Sequence, residues 1–142
     1  MQTNTVDISV KDTRLIGHRR GLLINLLNNM NLGTLRVFAE SSTFANTNPD
    51  EGFRLFNQGG VISSSAIDLG GGSLGSQGHN SFVHHAQQAL AVVNLHLAPP
   101  PLLVSAASNY WGGGAPVPGV DTLTSGPVVL TTSPFLTTDP NQ

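Results

Sequence analysis

Cysteine is absent from this chain of 142 residues. It therefore has no disulfides and no thiolate chemistry, although the absence fixes no compartment. Charge is scarce too: 10% of residues are Asp, Glu, Lys or Arg, against roughly 25% in an average soluble protein. The six basic residues are dispersed and the formal net charge is −2. Nothing forms the basic stripe that neutralising a phosphate backbone requires, so nucleic acid is not an expected partner. Long apolar runs are also missing. The longest, LLINLL (22–27) and ALAVV (89–93), are strand-sized, well short of the ~20 residues of a membrane-spanning helix. The start, MQTNTVDISV, has neither the basic region nor the apolar core of a secretory signal.

Ser, Thr, Asn and Gly fill the polar positions in place of charged residues. That is the surface style of many secreted and cell-surface β proteins. The even scatter of Val, Leu, Ile and Phe argues against disorder, and the length suits one domain with a real core. Short apolar runs alternate with Gly, Asn, Ser and Asp every handful of residues, which is a strand-and-turn rhythm. The best helix candidate, HHAQQALAVVNL (84–95), ends in β-branched residues and reads equally well as a loop followed by a strand.

The chain also repeats itself. Sliding VDISVKDTRLIG (6–17) onto the segment from Arg36 with a shift of 29 sets Ile8 on Val37, Val10 on Ala39, Thr13 on Ser42 and Leu15 on Phe44. The same shift puts Asp7 on Arg36 and Lys11 on Glu40. Stacked as parallel neighbours, these become opposite-charge pairs about 4.8 Å apart. GLLIN (21–25) matches GFRLF (52–56) with a shift of 31. A third copy places Ile67 and Leu69 beyond Val37 and Ala39, and a fourth lies in PLLVSAASNYW (101–111). Repeats near 30 residues, each of two or three short strands, predict a β-solenoid. Each turn is then stabilised by its neighbours through a parallel ladder and an inner stack of apolar side chains. Asn and Ser at the corners would add side-chain hydrogen bonds along the axis. The ends would expose unpaired strand edges that invite association, so a homo-oligomer is a possible partner state.

The only Trp and the only Tyr stand together in NYWGGGAP (109–116), ahead of SGPVVLTTSPFL (125–136). This ending resembles the C-terminal end of right-handed parallel β-helix proteins of the pectin-lyase-like group, where an Asn-Trp-Trp-Gly type element precedes a Gly/Pro-rich loop and a Ser-Pro-Trp-Leu type close. The matching residues are Asn109, Tyr110, Trp111 and Gly112, then Ser133, Pro134, Phe135 and Leu136, with Tyr and Phe standing for two of the Trp residues. IDLGGGSLGSQGHNSF (67–82) similarly resembles a penultimate coil of bacterial members. The resemblance implies an all-β, short right-handed parallel β-helix of about four coils. It would form a single domain over 1–142, with coils over 6–104 and the last coil, capping loop and tail over 105–142. Asn109, Tyr110, Trp111, Pro134, Phe135 and Leu136 are then an aromatic cap that hides the inner stack, the Gly/Pro segment folding the chain back over the end. The competing reading makes Tyr110 and Trp111 a sugar-stacking platform. The resemblance also implies an extracellular or cell-surface setting and a polysaccharide ligand.

Chemistry-bearing residues are sparse. His18, Arg19 and Arg20 form the densest basic spot, read as a solvated corner or as a contact for an anion or uronate. A carbohydrate lyase or hydrolase of this fold would place its site near Arg14, Arg36 and Glu40, yet the eight acids are scattered and no catalytic residues are assigned. Asp50 and Glu51 in NPDEG (48–52) read as turn chemistry. His84 and His85 are adjacent, so on a strand they face opposite ways and do not chelate one metal, a restriction that only a loop would lift. Asp68 before three glycines lacks the following helix with Lys and Ser/Thr of a phosphate loop. No metal or cofactor is expected. The leading expectation is a non-catalytic module, structural or polysaccharide-binding, with a lyase or hydrolase and a self-assembling subunit as alternatives.

Overall fold

The computed structural model describes residues 4–45 and 47–142; the first three residues of MQTNTVDISV and Asn46 lie outside it. Twelve strands and no helix are found among the described residues. β1 (Thr5–Lys11), β2 (Arg14–Ile16) and β3 (Leu22–Leu26) make the first turn of a coil. β4 (Asn31–Glu40), β5 (Thr43–Ala45) and β6 (Phe53–Asn57) make the second, and β7 (Val61–Gly70), β8 (Ser81–Val83) and β9 (Leu90–Asn94) the third. β10 (Leu102–Ala106), a bridge at Tyr110 and β11 (Thr122–Ser125) form the fourth, and β12 (Val128–Thr131) opens a fifth. Corresponding strands stack into three parallel sheets, ordered β1-β4-β7-β10-β12, β2-β5-β8 and β3-β6-β9-β11. The chain is a parallel β-solenoid of about four turns.

The register follows the expected repeat. Ile8 lies against Val37, Val10 against Ala39 and Lys11 against Glu40. Leu15 lies against Phe44, and Leu22 against Phe53. Val37 continues onto Ile67, Val104 and Leu130. Both charge pairs form, Lys11 Nζ at 2.8 Å from Glu40 and Arg36 Nε at 3.4 Å from Asp7. Segment 84–95 resolves into a loop and then β9, whose β-branched residues suit a strand. β10 straddles the 104/105 boundary expected for the last coil.

Alternation turns one side of every strand inward. Val37, Phe44, Phe53, Leu55, Leu69, Leu90 and Val92 are each fully buried. The inner rows lose cover at the ends, where Val6, Ile8, Val10, Leu15 and Leu22 of the first turn and Val128 and Leu130 of the fifth are only partly buried. Polar corners bind the turns along the axis. Asn80 donates its Nδ2 to Asn109 Oδ1 at 3.0 Å, while Asn109 donates to the Leu69 and Ala106 carbonyls. At another corner Asn57 donates to Asn94 at 2.9 Å, and Asn94 to the Pro127 carbonyl. These side chains replace main-chain partners that a turning strand loses. Asn109, expected in the cap, is thus a rung of a polar ladder.

Trp111 completes an interior aromatic column. The Phe44 and Phe82 rings stack with centroids 5.0 Å apart, and Trp111 lies on Phe82 at 4.7 Å and 15°. The second half of the expected cap takes another course. Leu136 pairs with Tyr110, which sets Phe135 above Asn109, and Phe135 is 37% exposed. The tail then runs back along the side of the coil and does not close over its end. Asp139 accepts from the Ser81 hydroxyl, and Asn141 donates to the Ser42 and His79 carbonyls. The reason is register: with Leu136 over Tyr110, the residue that follows onto Trp111 is Thr137, and Phe135 falls on the Asn109 position instead of on the aromatic column.

Truncating Trp111 to Ala should cost about 3–5 kcal/mol, and Phe135→Ala no more than about 1 kcal/mol. Urea unfolding of the two variants checks this, and equal losses would contradict the burial difference between the rings.

Candidate functional site

One corner of the coil, between the second and third sheets, carries the most concentrated chemistry. Here the links from β8 to β9 and from Tyr110 to β11 enclose a cleft of about 330 Å³. Tyr110, Trp111, His84, His85, Gln87 and Asp121 line it. Tyr110 is held as a one-residue strand between Ser81 and Leu136, so its ring has a fixed base. Asp121 is held by the turn beneath it, accepting the Val117 N–H at 2.7 Å.

The two histidines lie in the loop after β8, not on a strand, and they diverge. His84 takes a left-handed backbone (φ 59°) and stands exposed, whereas His85 turns toward the coil. Its imidazole fits against Gly52, where any Cβ would come within 2.5 Å of Cε1. Nδ1 lies 2.6 Å from the Thr47 hydroxyl. Burial pushes the His85 pKa down to about 4, with the Phe44 backbone opposing, the neighbouring His84 adding to the depression and Asp121 opposing it. His85 Nε2 and Trp111 Nε1 are both buried without a hydrogen-bond partner, a condition that native structures rarely tolerate.

The basic spot His18-Arg19-Arg20 belongs to the same corner, on the first turn. Arg19 Nε lies 2.5 Å from Asp50, Arg20 lies 3.2 Å from both Asp50 and Glu51, and Arg54 lies 2.6 Å from Glu51. Asp50 and Glu51 are 8% and 3% exposed. Their role therefore goes beyond the turn chemistry expected of NPDEG: they form the acidic layer of an ion-pair lattice between turns. The Arg19 hydrogen bond holds the Asp50 carboxyl below its ordinary range despite the opposing effect of burial. A signal for this lattice was available, because the shift of 31 that sets Gly52 on Gly21 also sets Asp50 on Arg19 and Glu51 on Arg20.

Arg36 and Glu40 share the outer face of the first sheet, each ion-paired to the turn below. Arg36 borders a shallow hollow with Asp7, Ser9, Phe38 and Leu74. The Gln77 N–H, and then Lys11, hold the Glu40 carboxyl below its ordinary range. Arg14 lies on β2 in a different sheet, so the three are not gathered at one place. The glycine-rich loop after β7 is turned on its own carboxylate: Asp68 accepts the N–H groups of Gly70, Gly72, Leu74 and Ser76 at 2.9–3.1 Å. Among the described residues no three His, Cys, Asp or Glu side chains lie close enough to hold a metal ion. Nor is any helix there long and apolar enough to cross a membrane.

Comparisons with family models, with curated proteins and with solved structures gave no match to this chain. The architecture defines its class, a three-sheet parallel β-solenoid.

His85 sets a pH dependence. Its pKa is about 4 when folded and 6.5 as an ordinary imidazole, so between these values the unfolded chain binds the proton and the folded one does not. Stability is therefore complete above pH 6.5 and should decline as pH falls toward 4. Loss from Glu40 and Asp50, whose values are lowered from 4.5 and 3.8, follows at lower pH. Urea unfolding across this range should show the slope, and His85→Gln should flatten its upper part.

Proposed function

We propose that this chain is a non-catalytic β-solenoid module of the pectin-lyase-like kind, set in an extracellular or cell-surface context, that binds polysaccharide at the corner cleft. The observation that carries this reading is the cleft's composition. A half-buried tyrosine ring on a fixed strand position stands beside the polar groups of His84, Gln87 and Asp121. An aromatic face suits the apolar face of a pyranose ring, and convergent polar groups orient its hydroxyls. The ring is mounted on a ladder position, and Asp121 is braced by the Val117 N–H, which lowers the ordering cost of binding. Trp111, the other half of the platform reading, serves as the floor, stacked on Phe82.

The partly buried first turn favours a second reading, self-association. Among the described residues Val6, Ile8 and Val10 line an inner row with a strand neighbour on one side, because β1 is the terminal strand of its sheet there. A weight-average mass that rises with concentration in sedimentation would support it.

Native affinity electrophoresis through gels containing soluble polysaccharides tests the first reading. Retardation is expected, and Tyr110→Ala should weaken it about tenfold, near 1.4 kcal/mol, with unfolding little changed. Retention undisturbed by that substitution would remove the cleft from the reading.

A further inference from the structure

Resting on the reading above, we infer that the glycan taken by the corner cleft carries no acidic sugars, and that the site selects against polyuronates. No Lys or Arg side chain lines the cleft, while the Asp121 carboxylate does. Among the described residues one of its oxygens is engaged, Oδ2 with the Val117 N–H, which leaves Oδ1 as an acceptor without a protein donor. A sugar hydroxyl can donate to it; a uronate carboxylate is repelled.

The basic residues of this corner do not compensate. Arg19 and Arg20 lie two turns below the β8–β9 link, about 10 Å along the axis. Their charges are already committed to Asp50 and Glu51. His85 is held uncharged by its burial. A hydroxyl has a proton to give to the Asp121 carboxylate, whereas a uronate carboxylate can only accept.

The test is affinity electrophoresis of the whole chain at a pH about one unit above the ordinary imidazole value. The probes are neutral glycans (hydroxyethylcellulose, laminarin, dextran and a galactan) and anionic polygalacturonate. At least one neutral glycan should retard the protein, with polygalacturonate at least tenfold weaker. Val120→Lys places a cation on an exposed rim position without touching the core, and should raise polygalacturonate retention severalfold while leaving the neutral glycan nearly unchanged. Asp121→Asn, which keeps an acceptor for Val117, should relax the discrimination in the same direction. Polygalacturonate retained as strongly as the neutral glycans would overturn the inference and leave glycan binding standing. Failure of all the probes would overturn both.

Discussion

A turn of this coil has no interior of its own. Val37 is covered because Ile8 lies below it and Ile67 above, and the same holds for Phe44 between Leu15 and Phe82. The parallel ladder fixes that vertical relation at about 4.8 Å per turn, so the inner side chains must agree in shape from one turn to the next. Everything else depends on this stacking: the charge pairs on the outer faces, the asparagine rungs, the aromatic column and the corner cleft.

How far the architecture was legible in the sequence follows from what stacking demands. Period-2 alternation plus opposite charges at matched positions, Asp7 with Arg36 and Lys11 with Glu40, specify a register, and the register specifies the solenoid. The Arg19–Asp50 and Arg20–Glu51 pairs were equally readable, but only with the second shift, since an inserted pair of residues separates the two registers. The path of the tail was not readable. Residues 132–142 have no periodicity, and their course is set by Asn141 and Asp139 finding main-chain and hydroxyl partners on earlier turns. The cleft was legible only in part. Tyr110 and Trp111 announced themselves by rarity, whereas the seat of His85 rests on Gly52 and Thr47, more than thirty positions away.

The Asp68 loop shows why a motif can mislead. Three glycines after an acidic residue free the backbone to turn its amides inward, as a phosphate receptor would. Here the receptor is filled by the chain's own carboxylate, and the loop becomes a self-contained brace at the end of β7. The basic corner is satisfied in the same way by acids one turn away. Internal neutralisation is the habit of this chain, and it leaves the cleft as the place where buried polar atoms still lack partners.

That all strands run in one direction constrains how copies of the molecule can meet. Two like ends brought face to face would set their strands antiparallel, and the vertical match of inner side chains would be lost. Only the bottom of one molecule on the top of another continues the ladder, and such contacts do not close on themselves. Parallel growth through the strand edges is therefore a filament, whereas a closed pair forms either by antiparallel pairing of two like edges or through an outer face.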